Sequence, residues 1–167
     1  MLNDSLKDER TGERNVTLLT AEDRCEISET LSLLGHILDG GQLDRLEEVL
    51  TPDAVYDLTD VGVGAFEGVE GVRHGALQLG AGNPVAHHLT NVVITGEDDD
   101  VVSVQSKGLL FMADGTLGSL TQHDIVRRHN GGWRISRRAI KAQRPPMNGN
   151  YPAAGARCQD GKSHGNE

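Results

Sequence analysis

The sequence is poor in aromatic residues and cysteines, and it contains no long apolar run. Its 167 residues include one Trp, two Tyr and two Phe. The two cysteines, Cys25 and Cys158, are far apart and form no disulfide framework, which favours a reducing compartment. No segment approaches the roughly 20 apolar residues that span a bilayer, and the N-terminus is charged where a signal peptide is apolar. We therefore expect a cytoplasmic protein with no membrane partner.

Positive charge is also scarce, since the formal net charge is −9. Phosphate backbones select proteins with clustered Lys and Arg, so a nucleic-acid partner is not expected. One group of basic residues does occur late in the chain, and we interpret it as the solvated face of two strands. It comprises Arg127, Arg128, Arg134, Arg137, Arg138 and Lys141.

Familiar cofactor and metal motifs are missing. "GVGAFEG" lacks the G-x-G-x-x-G order of a dinucleotide site, and "GEDDD" lacks the spacing and closing Glu of a calcium loop. No Ser or Cys stands in a nucleophile-elbow context. Neighbouring strand residues point to opposite faces, so His87 and His88 cannot share a metal. The sequence therefore predicts neither a metal nor a cofactor.

The first half of the chain predicts helices. "TAED" resembles a capping box at Thr20, and apolar residues then recur at helical spacing to Leu38. A second short helix is predicted over "LDRLEEVL", ended by Pro52, and a weaker one over "VEGVRHGALQL".

The second half predicts strands over residues 85–95, 100–113, 117–129 and 132–143, after an earlier strand in "DAVYDLT". Gly- and Asp-rich turns join the last three, which should run antiparallel. Helices followed by strands indicate an α+β domain over residues 20–144, with a curved antiparallel sheet around the helices and a cone-shaped pocket. Residues 1–19 and 145–167 are expected to be flexible arms.

The stretch "PVAHHLTNVVIT" places two histidines on one strand, of which only one can face the interior. An inward His is a candidate proton acceptor, and it needs a carboxylate that orients it. Asp39 ends the first helix, where a carboxylate opposes the helix dipole. Asp39 and the inward His form a catalytic pair, or both are structural; the residues alone leave this open.

Residues 20–143 resemble the SnoaL-like branch of the NTF2-like superfamily. The resemblance rests on "EISETLSLLGHILDGGQLDRLEEVLTPDAVYDLT", then "HHLTN" and a closing "RRHNGGWRISR". It implies a curved sheet around a cone-shaped pocket and a homodimer formed through the outer sheet face. Relatives include polyketide cyclases, scytalone dehydratase, hexachlorocyclohexane dehydrochlorinase, ketosteroid isomerases and limonene-epoxide hydrolases.

The resemblance implies that His87 and Asp39 are catalytic, with residues 87, 89, 91 and 93 facing the pocket. Leu89, Asn91, Tyr56 and His123 are then the expected substrate-binding residues. A second pocket tyrosine, found in scytalone dehydratase, is not reproduced.

The function implied is a cofactor-free lyase or isomerase: a dehydratase, isomerase or cyclase acting on a mostly apolar small molecule. His87 would abstract a proton, and Asp39 would stabilise its cationic form. One alternative is an epoxide-type hydrolase, for which Asp124 and Arg127 are available. The other is a non-catalytic module that binds a small ligand or dimerises.

Overall fold

The computed structural model describes residues 19–143, so the expected arm 145–167 and all but Leu19 of the expected arm 1–19 lie outside the described residues. Helix α1 spans Ala21–Asp39 and helix α2 spans Gly68–Leu79. The capping box is confirmed: Thr20 Oγ1 accepts from the Asp23 backbone, and the Asp23 carboxylate accepts from the Thr20 backbone. Three short 3-10 segments cover Leu43–Glu48, Thr59–Val61 and Gly80–Gly82. None of the helices described here is long and apolar enough to cross a membrane.

Within the described residues, six strands form one sheet in the order β2-β1-β6-β5-β4-β3. They are β1 (Leu50–Leu58), β2 (Gly64–Glu67), β3 (Ala86–Asp98), β4 (Val101–Phe111), β5 (Leu117–His129) and β6 (Gly132–Ala142). The hairpins joining β3 to β6 are antiparallel, as predicted.

The sheet as a whole is mixed, because β1 pairs with β6 in parallel. The expectation of a purely antiparallel sheet was wrong at this pairing. Local turn patterns fix the direction of strands joined by hairpins, but β1 and β6 are far apart in the chain. Pro52 was expected to end a helix and instead lies inside β1. It coincides with a register shift between Leu50 and Val55, which suits a residue without a backbone N–H.

The core lies between α1 and the inner sheet face. From α1 it takes Ile27, Leu31, Leu34 and Ile37, at most 1 % exposed, and from the sheet it takes Trp133 among others. Burying a Leu or Ile side chain contributes about 1.5–3 kcal/mol. The apolar residues that recur at helical spacing in the sequence therefore pack α1 against the sheet.

The inner face also carries charge, which corrects the interpretation of the basic cluster. Arg138 is 3 % exposed and cannot belong to a solvated face. The registers explain this: Val126 pairs with Ile135 but Ile125 pairs with Arg137, so Ser136 is an extra residue in β6. A bulge of this kind exchanges the two faces of a strand beyond it.

The outer sheet face exposes several large apolar residues. They include Val93, Leu109, Phe111 and Leu117, each at least 40 % exposed. The homodimer expected from the resemblance would cover this face, and it stays a prediction.

Candidate active site

Asp39 and His87 meet at the end of α1. The carboxylate Oδ1 lies 2.5 Å from the His87 ring Nδ1, and Oδ2 accepts a 2.9 Å hydrogen bond from the His87 backbone N–H. Both side chains are partly exposed, at 20 % for His87 and 26 % for Asp39. One carboxylate therefore holds both the backbone and the ring of the same histidine.

Two glycine features set this geometry. Gly40 and Gly41 end α1 directly after Asp39, and Gly41 adopts a positive φ of 63°. One turn earlier, Gly35 faces β3: a Cβ there would lie 3.3 Å from the His87 carbonyl oxygen. The missing side chain lets the helix approach the strand closely enough for Asp39 to reach His87.

The contact also decides which ring nitrogen is available. In neutral imidazole one nitrogen donates and the other accepts. A carboxylate against Nδ1 holds the proton there, which leaves the Nε2 lone pair free to accept another proton. Asp39 would stabilise the imidazolium that results. The arrangement is chemically that of an oriented general base.

His87 lines a cavity of about 460 Å³ between α1, α2 and the inner sheet face. Most of its walls are apolar, including Leu38, Leu58, Phe66, Leu110, Leu120 and Ile140. Such a cavity suits a small, mostly apolar ligand, with a few polar groups to orient it.

Of the other expected pocket residues, Tyr56 lines the cavity and is 8 % exposed. Leu89 is on the inner side of β3 and packs against the core, and it is not among the residues that line the cavity.

Asn91 lies outside the cavity, so its expected pocket position was wrong. It has a φ of 52° and is exposed, and its Oδ1 accepts a 2.7 Å hydrogen bond from Thr90 Oγ1. Thr90 pairs with Lys107 and Val93 with Gln105, so β3 carries one extra residue here. Beyond this bulge the facing reverses, and Val93, also expected in the pocket, is 56 % exposed. Asn adopts the left-handed conformation more readily than most residues, which explains why Asn91 occupies the bulge.

His123 also points away from the cavity. Its neighbours on β5, Gln122 and Asp124, are 5 % and 1 % exposed, whereas His123 is exposed. Strand alternation then places His123 on the outer sheet face. The expectation of a second inward histidine was wrong.

The sequence analysis did not identify Gln122 and Asp124 as two polar residues that point inward from β5. Gln122 lines the cavity, and Asp124 forms a bidentate ion pair with Arg138 at 2.7 and 3.0 Å. Alternation from the apolar Leu120 could have indicated that residues 122 and 124 share its face. The inward position of Arg138 could not be predicted from alternation alone, because it depends on the bulge in β6.

The arrangement needed for an epoxide-type hydrolase is not formed by the expected residues. Arg127 is paired with Asp53 on the exposed surface. Asp124 is paired with Arg138 instead, and neither lines the cavity described here. Within residues 19–143, no three His, Cys, Asp or Glu side chains gather as a metal site.

Comparisons with known proteins agree with this architecture. A family model described as a SnoaL-like domain matches residues 19–139. No curated protein sequence matches the chain.

Solved structures share the fold. A candidate aromatic ring hydroxylase from Novosphingobium aromaticivorans is 29 % identical, with a TM-score of 0.67 over 77 % of this chain and 94 % of the other. An NTF2-like protein with a cystatin-like fold from the same organism is 26 % identical, with a TM-score of 0.62 over 76 % and 86 %. A type 2 hexachlorocyclohexane dehydrochlorinase is 22 % identical, with a TM-score of 0.63 over 81 % and 95 %, a likeness of fold.

Proposed function

The chain belongs to the SnoaL-like family, and we propose that it is a cofactor-free lyase or isomerase in which His87 removes a proton from a small apolar molecule. The observation that carries the proposal is the Asp39–His87 contact at 2.5 Å on the wall of an apolar cavity. The family includes many small-molecule lyases and isomerases, and a dehydrochlorinase shares the fold.

The proposed step moves one proton. Nε2 of His87 takes a proton from carbon, and the C–H electron pair shifts to a neighbouring carbonyl oxygen or expels a leaving group. Asp39 keeps its charge and stabilises the imidazolium. In an isomerisation the proton returns to another carbon; in an elimination it leaves with the departing group.

The test uses apolar ketones, some bearing a hydroxyl or halide leaving group, incubated with the protein in heavy water. Wild type should exchange the acidic C–H for deuterium or eliminate the group, followed by mass spectrometry. His87→Ala should lose on the order of 10²–10⁴-fold of this rate, the usual contribution of a general base.

His88→Ala is the matched control, because His88 is exposed on the other face, its ring centroid 5.2 Å from that of Phe111. It should keep wild-type turnover. Unchanged turnover in His87→Ala would contradict the proposal. Ligands that bind in the cavity but are never converted would instead indicate the non-catalytic binding module.

A further inference from the structure

We infer that Gln122 is a ligand-anchoring residue, whose carboxamide donates a hydrogen bond to a neutral oxygen of an apolar ligand in the cavity that His87 also lines. The inference rests on the proposed function only in using the same cavity. It deepens that function by naming the class of molecule that the cavity takes.

Gln122 is a polar side chain placed in an apolar wall. It is 5 % exposed and lines the cavity between Leu120 and Ile140. Its Oε1 accepts a hydrogen bond from Ser106 Oγ at 3.2 Å. Its Nε2 has no hydrogen-bond partner among residues 19–143. Because Nε2 is not fully buried and Gln122 lines the cavity, a ligand acceptor at this point can take its hydrogen bond.

The neighbouring strand leaves room for this amide. Gly108 on β4 faces it, and a Cβ there would lie 2.6 Å from Leu120 Cδ1 and 3.1 Å from Gln122 Nε2. Any larger residue at 108 would push these side chains aside. Two residues of β4 therefore position the carboxamide. Gly108 leaves space for it, and the Ser106 hydroxyl donates a hydrogen bond to Oε1.

The strand register places this donor near the strand that carries the base. His87 pairs with Leu110, and the amide nitrogen of Gln122 lies beside Gly108, two residues before Leu110 on β4. Two residues correspond to about 7 Å along a strand, and β4 is the neighbour of β3. A ligand with one or two rings is therefore long enough to contact both groups.

The chemistry around Gln122 favours a neutral acceptor. The nearest inward charges, Asp124 and Arg138, are paired with each other through two hydrogen bonds. Gln122 itself carries no charge, and the surrounding wall is apolar. A carbonyl or ether oxygen fits this environment, whereas a carboxylate or phosphate would lose its hydration without a countercharge.

The experiment measures binding of the fluorescent naphthyl ketone Prodan to the full chain, followed by its blue-shifted emission. Acetylnaphthalene and isopropylnaphthalene, substituted at the same ring carbon, then compete for the site; only the first carries an oxygen. Gln122→Leu should weaken the ketone relative to the hydrocarbon by roughly 3- to 10-fold, the loss of one hydrogen bond. Gln105→Leu, the same change on the outer sheet face, should leave the ratio unaltered.

Three results would overturn the inference: no saturable Prodan binding by wild type, an unchanged ratio in Gln122→Leu, or equal weakening of both competitors. Circular dichroism checks that the variant folds, and Ser106→Ala offers a milder change that should lower the ratio in the same direction. The binding ratio compares two competitors that differ in one oxygen, and it is measured without turnover. Failure of the catalytic proposal therefore shows in turnover, and failure of this one shows in the binding ratio.

Discussion

On the inner side of the sheet, the Asp39–His87 and Asp124–Arg138 pairs each join a carboxylate to a basic side chain. Their surroundings differ. Asp39 and His87 are about a quarter exposed and border the cavity. The side chains of Asp124 and Arg138 are 0 % and 4 % exposed, deep in the protein. The first pair is open to a ligand in the cavity, whereas the second is sealed from ligand and solvent. The pairs therefore differ both in exposure and in the basic group, because an imidazole can accept and release a proton whereas a guanidinium stays protonated.

The fixed charge of the inner pair has a physical cause. Burial lowers the pKa of the Arg138 guanidinium, but the Asp124 carboxylate and Tyr56 together outweigh burial and raise that pKa overall. Arg138 is therefore always protonated, and the pair contributes two satisfied charges to the core. The predictions below test this contrast, from the largest expected effect to the smallest.

Removing the charge of Asp39 should break the outer pair without unfolding the protein. In Asp39→Asn we expect turnover to fall on the order of 10²–10⁴-fold, because the imidazolium loses its stabilising charge and the ring its correct tautomer. Stability should change little, since the two side chains are nearly isosteric and partly exposed. Steady-state kinetics and urea denaturation on the same sample measure both. Full activity would leave His87 without a functional partner.

Removing the charge of Asp124 should instead lower the stability of the protein. Asp124→Asn leaves Arg138 buried and unpaired, which should cost about 3–5 kcal/mol of unfolding free energy. Urea denaturation measures this loss. Replacing both residues, as Asp124→Leu with Arg138→Met, should recover much of it, because no isolated charge remains. A single variant as stable as wild type would show that the pair is not structural.

The activity should depend on pH through the outer pair. A protonated imidazole cannot accept a proton, so kcat/KM should fall as the solution becomes acidic, by up to about tenfold per pH unit. The inner pair should not contribute, because Arg138 stays charged throughout. A profile measured between weakly acidic and neutral pH checks the direction. Activity that rises on acidification would contradict His87 as the proton acceptor.

A third carboxylate, Asp23, should govern acid stability. The Trp133 indole N–H at 3.0 Å, together with Thr20 and Arg128, lowers the Asp23 pKa. A lowered pKa stabilises the fold above the unfolded value of about 3.9, and this stabilisation is lost as pH falls below it. The Tm of wild type should therefore drop more steeply on acidification than that of Asp23→Asn. Asp98→Asn, an exposed change, should follow wild type; parallel curves for Asp23→Asn would contradict this role.

The sequence by itself determined the two α-helices and the four long strands, although it placed Pro52 at the end of a helix rather than inside β1. The capping box at Thr20, the apolar stripe of α1 and the Gly- and Asp-rich hairpin turns are local signals, since each depends on residues near one another in the chain. For the same reason the end of α1 at Asp39 could be located. The pairing of Asp39 with His87 came from resemblance to a family, because nothing local joins residues 48 positions apart.

Only the tertiary structure decided which side chains face the cavity. The extra residues at Asn91 in β3 and Ser136 in β6 reverse the facing of everything beyond them, since side chains alternate with a period of two. The bulge in β3 therefore places Asn91 outside the expected pocket, and the bulge in β6 places Arg138 in the interior. The parallel pairing of β1 with β6 likewise depends on where distant strands meet. Register and long-range pairing are set by packing of the whole chain, which no short pattern in the sequence encodes.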